Sequence, residues 1–349
     1  MNHIDSVMNE FMTKNNVAGT SLALVRGGKL VYAKGFGVAD KSTNEPVEAT
    51  SLFRIASVSK PVTAAAMMMM IEKNPALLTS KVFGPNGILG TEYGTQPYSN
   101  YIEQITVEQL LTHTAGGQAW KNGGNDPMYD MNHLADNHKQ LIGWVLDSRS
   151  IVQPGTEYGY SNFGYTVLGR VIEKLSGKTY ESYVQEKILK PIGATGMKIG
   201  SGKKSEKSLY EVTYYDSSTP YYPSRHFYNR RRADAQGGWI ASSVDLARFL
   251  VHFDGSSSKP DLISRSTYDT MITPSSANKY YAKGWSVNPT SHKNIWHTGG
   301  LPGTGAYVNN VADGTTVVFL MNSAFKDMSP TWWKIYKGIQ NWPTNLDLF

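Results

Sequence analysis

The pattern of apolar and polar positions changes character along the chain. At the amino end Ile4, Val7, Met8 and Phe11 recur at helical spacing, which predicts an amphipathic helix over residues 1–15. Thr20 to Val25 and Leu30 to Gly35 then read as two strands. The segment joining them, Arg26-Gly27-Gly28-Lys29, carries glycines suited to the positive φ angles of a tight hairpin. The carboxyl end repeats this style. Gly305 to Val311 and Thr315 to Met321 are strand-like around a turn at Ala312-Asp313-Gly314, and Trp332 to Gln340 predicts a closing helix. From about residue 73 to 232, helical stretches such as Thr106 to Leu111 and Gly164 to Leu175 alternate with loops rich in Gly, Asn, Tyr and Pro. Strands at both ends with helices between predict an α/β (α+β) chain. Residues 1–72 and 233–349 would build one sheet domain, interrupted by a mostly helical insertion over 73–232. There is no internal repeat, and Gly255 to Pro260 is short enough for an ordinary surface loop.

The longest apolar run, Val62 to Ile71, is ten residues, about half of the ~20 that a bilayer span requires. The Met67 to Met70 stretch within it therefore reads as part of a buried helix. With 40% hydrophobic and 18% charged residues, the composition is that of a soluble globular chain of 349 residues, long enough for a substantial core. The absence of cysteine excludes disulfides, thiolate nucleophiles and cysteine-ligated zinc. Met1 to Met12 carries Asp5 and Glu10 and lacks the long apolar core of a secretory signal. A signal removed beforehand would leave the same picture, so the compartment stays open. The net charge of +6 is modest, and its one concentrated patch is Arg225 to Arg232. That patch reads as a solvated loop, or as a surface for an anionic ligand or cell wall. Nucleic acid would call for a longer basic stripe or a binding module, and is not an expected partner.

Three segments carry chemistry. In Ser57-Val58-Ser59-Lys60 the lysine follows the serine by three residues, so on a helix the two share a face one turn apart. A serine hydroxyl must lose its proton as it attacks, and burial can lower a lysine pKa enough for it to take that proton. Pro61 and the Val-Thr-Ala-Ala-Ala run after it predict a helix starting here, with Ser57 at the positive end of its dipole. The same spacing begins at Ser201, Ser256, Ser276 and Ser323, but none of those precedes a long apolar helix. The second segment is Tyr160-Ser161-Asn162, between a turn-rich lead-in, Pro154 to Gly159, and the apolar stretch Gly164 to Leu175. A phenol there can relay a proton, and an amide can orient a base or a substrate. The triplet also occurs at Tyr98 to Asn100, so only its setting distinguishes the second copy. The third, Asn294-Ile295-Trp296-His297-Thr298-Gly299-Gly300, reads as an edge strand entering a glycine loop. A backbone N–H from it, paired with that of Ser57, would make an oxyanion hole. His297 taken alone reads equally as a strand histidine with a structural hydrogen bond.

Ser-x-x-Lys, then Tyr-Ser-Asn about a hundred residues on, then His-Thr-Gly near the carboxyl end resembles the serine β-lactamase and penicillin-binding-protein superfamily. The branch it is most similar to is the class C β-lactamase-related hydrolases, which include carboxylesterases and D-amino-acid peptidases. Leu110 to Gly117, Pro154 to Gly169 and Gln236 to Phe249 support that branch, and the similarity spans roughly residues 15 to 325. The resemblance implies an antiparallel sheet flanked by helices plus a mostly helical region, with the active site between them. It makes Ser57 the nucleophile, Lys60 its base and Tyr160 a partner in proton transfer. Asn162 becomes an orienting group, and His297, Thr298 and Gly299 belong to the substrate-binding strand. The backbone amides of Ser57 and Gly300 bind the oxyanion. No metal or organic cofactor is implied, and His113, His226 and His297 need not be ligands.

Histidine stands at 297 where many β-lactamases carry a lysine that holds the drug's carboxylate. A neutral or partly charged imidazole grips an anion less strongly, which lowers the expectation of β-lactamase activity. The expected activity is hydrolysis of a small ester, amide or peptide through an acyl-enzyme. β-Lactamase or DD-carboxypeptidase activity, acyl transfer, and a silent binder of cell-wall peptides stand as alternatives, and the oligomeric state is open. Tyr214, Tyr215, Tyr221, Tyr222 and Tyr228 read either as an aromatic wall over the cleft or as packing of a long excursion.

Overall fold

The three central strands of the main sheet are buried on both faces, which is unusual for antiparallel strands and decides the architecture. In this computed structural model the described residues are 2–99, 101–123, 126–133, 136–216, 219–220, 232–288, 294–339, 342 and 346–349. The sheet has seven strands. In spatial order these are Glu45–Pro46, Lys29–Asp40, Gly19–Arg26, Thr315–Met321, Thr304–Val311, Ile295–Leu301 and Ser286–Val287, and every pairing is antiparallel. The amino-terminal hairpin therefore meets the carboxyl-terminal one at the sheet's centre, where Ala23 faces Val318. Both expected turns are present, with Gly27, Gly28 and Gly314 at positive φ.

Alternation along these strands feeds two cores. Leu22, Leu24, Val317, Phe319 and Met321 point to one side, against Ile4, Val7, Met8 and Phe11 of the Asn2–Asn15 helix and Trp332, Ile335 and Ile339 of the Ser329–Ile339 helix. Ala23, Val25, Val318 and Leu320 point to the other, into the larger core. There they meet the helices Ser59–Lys73, Asn162–Ser176 and Ser243–Val251. Each fully buried aliphatic side chain contributes roughly 1.5–3 kcal/mol relative to exposure, so helices on both faces stabilise the sheet.

The helix Ser59–Lys73 has no polar stripe; Ser59 to Met68 are all buried. A helix apolar all round lies inside a protein, and this one runs through the middle of the larger core. The Arg225 to Arg231 part of the basic patch, with Tyr221, Tyr222, Tyr228 and His226, lies outside the described residues. Arg232 does not belong to a solvated loop. It is buried, and its guanidinium donates to the carbonyls of Met128 (2.8 Å) and His133. Tyr214 and Tyr215 are buried as well, their hydroxyls accepting from the amides of Arg54 and Lys41, so neither walls a cleft.

Candidate active site

Local backbone geometry lifts one residue out of the core. Phe53–Arg54 pairs with Trp239–Ala241, and the chain then turns through Ala56, which holds φ at +47° despite its Cβ. Such a left-handed residue costs on the order of 1–3 kcal/mol and persists only where packing enforces it. A short 3-10 turn over Ala56–Val58 leads into the helix Ser59–Lys73. Pro61 sits in its first turn, as expected, while Ser57 lies just ahead of it. From Ser51 to Met68, Ser57 is the only residue that is not buried.

Lys60 is wholly buried beneath it. Its Nζ donates to Ser57 Oγ (3.1 Å), to Asn162 Oδ1 (2.7 Å) and to the carbonyl of Gln236 (2.9 Å). An ammonium has three protons, and all three are placed. Burial pushes the Lys60 pKa down to about 7, with the Asp126 carboxylate pulling the other way. Once one proton leaves, the shorter bonds to Asn162 and Gln236 hold the two that remain. The nitrogen lone pair is then left facing Ser57.

Tyr160 and Asn162 arrive on the amino end of the helix Asn162–Ser176. Ser161 caps that helix by accepting from the Gly164 amide (3.0 Å). The Tyr160 phenol lies beside the Ser57 side chain, which lowers its pKa a little, and burial raises it more, so it is a neutral phenol near pH 7. Its ring centroid is 4.8 Å from Lys60 Nζ, a cation–π distance. Hydroxyl, amine and phenol, drawn from segments a hundred residues apart, therefore meet. The other Tyr-Ser-Asn copy does not join them: the Tyr98 hydroxyl donates to the Tyr93 carbonyl (2.7 Å). Nor do two of the rival serines, since Ser201 is tied to Glu206 and Ser323 to the Ala18 amide.

The third segment corrects one expectation. Gly299 and Gly300 belong to the strand Ile295–Leu301, paired with Ala306 and Gly305, so the glycines are not a loop. The strand is an edge for only part of its length, because Ser286–Val287 covers Ile295 and Trp296 alone. Gly299 is required for contact: a Cβ there would fall 2.2 Å from the Ile55 carbonyl oxygen. The strand thus presses against the backbone just before Ser57. Thr298 and Gly300 are exposed, whereas His297 is buried. Its Nδ1 donates to the Thr298 carbonyl (2.7 Å), and its Nε2 accepts from the Tyr281 hydroxyl (3.1 Å). Burial, helped by the nearby Lys60, lowers the His297 pKa to about 3, so the ring is neutral with both nitrogens occupied.

Four further groups complete the site without having been singled out from sequence. His113, at φ +60°, accepts from the Ser161 amide through Nδ1 (3.0 Å), and its ring centroid is 4.3 Å from that of Tyr160 and 4.7 Å from that of Tyr281. Burial lowers its pKa well below the usual imidazole value. Tyr281 anchors His297. The Gln236 carbonyl holds Lys60. Asp126, buried, accepts from Asn162 Nδ2 (2.7 Å) through one oxygen and from the Met128 amide (3.0 Å) through the other. His113 and Gln236 lie within the flanking segments whose likeness to the family was visible; Asp126 and Tyr281 carried no sequence signal. Among the described residues no group of three or more His, Asp or Glu side chains is arranged to hold a metal ion.

A sheet covered on both faces, with serine, lysine and tyrosine at the end of a central buried helix, defines the β-lactamase and penicillin-binding-protein type of serine hydrolase. The chain belongs to the Beta-lactamase family, whose sequence model matches residues 4–337. It is similar to a penicillin-binding protein of Bacillus subtilis (strain 168), with 26% identity over 343 residues, 92% of this chain and 71% of that protein. Across three curated relatives the chain spans 59% to 73% of their length. Two solved structures share the fold. One is a D-amino acid amidase from Ochrobactrum anthropi SV3, with TM-score 0.77, 20% identity, and coverage of 97% of this chain and 98% of that one. The other is EstCE1, described as a hydrolase with promiscuous acyltransferase activity, with TM-score 0.77, 18% identity and 97% coverage of both chains. No helix among the described residues is long and apolar enough to cross a membrane.

Proposed function

We propose that this protein hydrolyses small esters or amides that carry no carboxylate beside the scissile bond, through an acyl-enzyme on Ser57, acting as a carboxylesterase or a D-amino-acid amidase or peptidase. The observation that carries the reading is the placement of all three Lys60 protons, which leaves the free-base lone pair aimed at the Ser57 hydroxyl. In the first step the Ser57 O–H proton passes to Lys60 Nζ as Oγ bonds to the substrate's carbonyl carbon. The carbonyl π pair moves to its oxygen, which the backbone N–H groups of Ser57 and Gly300 receive. As the tetrahedral centre collapses, the bond to the leaving alcohol or amine breaks. That group takes a proton from the neutral Tyr160 phenol, which is replenished from Lys60. Water then attacks the acyl-enzyme by the same route in reverse roles and releases the acid. Asn162 orients Lys60, while Thr298 and Gly299 belong to the strand along which the substrate lies.

The preference for a substrate without that carboxylate rests on His297. A buried neutral ring whose two nitrogens are already engaged offers no cation to a carboxylate beside the scissile bond. Intact-protein mass spectrometry with a fluorophosphonate probe tests the chemistry. Labelling of the wild type that disappears in Ser57→Ala is expected; no labelling between pH 6 and 9 would overturn the reading. A panel of aryl acetates, D-amino-acid amides and a chromogenic cephalosporin then tests the substrate class. Turnover of the cephalosporin above the esters and amides would reverse the preference.

A further inference from the structure

The Ser57 machinery is backed by a buried carboxylate that no part of the acyl-transfer scheme uses. Asp126 lies behind Asn162, itself buried, so that an unbroken chain runs from Asp126 Oδ2 to Asn162 Nδ2, from Asn162 Oδ1 to Lys60 Nζ, and from Nζ to Ser57 Oγ. Two consequences follow from the donor and acceptor inventory. A carboxylate accepts only, so Asp126 forces the nitrogen of the Asn162 amide toward itself and the oxygen toward Lys60. A flipped amide would set oxygen against oxygen on one side and NH2 against the ammonium on the other. The second oxygen of Asp126 is pinned by the Met128 amide, which fixes the carboxylate in turn.

Resting on the proposed acyl transfer, we propose that Asp126 is the positioning residue of this site. It locks Asn162 in the orientation that accepts from Lys60, and it supplies the negative charge that balances the ammonium formed when Ser57 gives up its proton. Its distance matters as much as its charge. A carboxylate in direct contact with Nζ would hold the proton too firmly for a base working near neutrality. One interposed amide keeps the attraction and weakens it.

The surroundings allow few other sources for such an effect among the described residues. Around Lys60 stand Asp126, the neutral phenol of Tyr160, the buried phenol of Tyr165, and the imidazoles of His113 and His297, both kept neutral by burial. Around Asp126 stand Lys60, Arg149, Arg232 and Tyr160. The two arginines are engaged with other groups. Arg149 donates to the Ala119 carbonyl and faces Asp130, and Arg232 donates to the carbonyls of Met128 and His133. Burial raises the Asp126 pKa to about 6, so the carboxylate is mostly ionised at the Lys60 midpoint.

The test follows the protonation of Lys60 directly, by its 13Cε resonance against pH, assigned by its absence in Lys60→Arg. The wild-type midpoint is expected near 7. In Asp126→Asn, removal of the charge should lower it by about one unit, and the acid limb of fluorophosphonate labelling should move with it. Asp126→Glu, which keeps the charge, should restore most of the shift. The double variant Asp126→Asn/Asn162→Asp, which can keep every hydrogen bond in the chain but brings the charge against Nζ, should raise the midpoint. A Lys60 midpoint unmoved in both Asp126→Asn and the double variant overturns the proposal, as does lost labelling with an unmoved acid limb. Because the resonance reports Lys60 without turnover, a protein that never reacts with the probe would sink the hydrolase reading and leave this one measured.

Discussion

Lys60 and Lys283 are both buried, at 0% and 2% exposure, and they sit close together in the fold. Gly284, at φ +84°, packs so tightly on the central helix that a Cβ there would meet Ala64 at 2.4 Å and the Lys60 carbonyl at 3.2 Å. Their partners differ in kind. Lys283 Nζ contacts the Glu108 carboxylate at 3.0 Å and the Thr273 carbonyl at 3.0 Å. Lys60 contacts a hydroxyl, an amide oxygen and a carbonyl, all neutral, with its nearest carboxylate one residue further back. Burial alone therefore does not make a lysine a base. A buried amine in direct contact with a carboxylate is a structural ion pair, while one ringed by neutral acceptors gives up its proton near neutrality. With an attraction that falls as 1/(εr), moving a charge from about 3 to about 6 Å roughly halves its pull.

The widest separation of the two lysines should appear on removing each. Lys60→Met is expected to lower kcat/KM by about 10,000-fold or more, as loss of a member of a nucleophile–base unit does. Lys283→Met should leave it within about threefold, because that amine touches nothing that reacts. Both are read with an aryl acetate at pH 8. Retention of a tenth or more of the activity in Lys60→Met would remove Lys60 from the mechanism, and a hundredfold loss in Lys283→Met would erase the distinction drawn here.

That contrast also marks where the sequence stops speaking. The helix over residues 1–15, both terminal hairpins and the buried character of Val62 to Ile71 were readable, since each rests on a local period or a turn glycine. That Ser57, Lys60 and Tyr160 come together was readable because their order along the chain follows a known pattern. The shape of the third segment differs from its sequence pattern. Two consecutive glycines suggest a loop, but Gly299 is a glycine because the strand must lie against the Ile55 carbonyl, a packing demand set by another part of the chain. Nothing near Asp126 or Lys283 announces its role either. Lys283 becomes a structural ion pair only because residue 108 is placed beside it, and Asp126 acquires meaning only when folding sets it 2.7 Å from Asn162. Partners distant in sequence create these properties, so no local pattern records them.

A sharper manipulation makes the Lys60 site resemble the Lys283 site without changing net charge. In Asp126→Asn/Asn162→Asp, residue 126 can still accept from the Met128 amide and donate to residue 162, whose other oxygen accepts from Lys60. Only the position of the charge differs. A carboxylate against Nζ should raise the Lys60 pKa from about 7 by about 1–2 units. A base is available only above its own pKa, so the acid limb of kcat/KM must move to higher pH. Activity at pH 7 should fall about 5- to 50-fold and recover substantially by pH 9. A loss independent of pH would mean that the swap disturbed the geometry and not the proton affinity.

The smallest effect concerns what the Glu108 contact contributes to stability. Glu108 is 40% exposed on its side chain, so solvent screens the pair. Glu108→Gln is expected to lower stability by about 1–2 kcal/mol, read from the urea midpoint at constant slope. Most of that loss belongs to the ammonium left buried without a counter-charge, so it should largely vanish when Glu108→Gln is made in a Lys283→Met background. Glu108 also lies in the first turn of the short Val107–Leu111 helix, where a negative side chain is favoured by the helix dipole whatever Lys283 does. The double-mutant cycle separates these two sources. An equal loss in both backgrounds would assign Glu108 to its own helix and leave Lys283 buried without need of a carboxylate, and the distinction between the two lysines could then no longer rest on that contact.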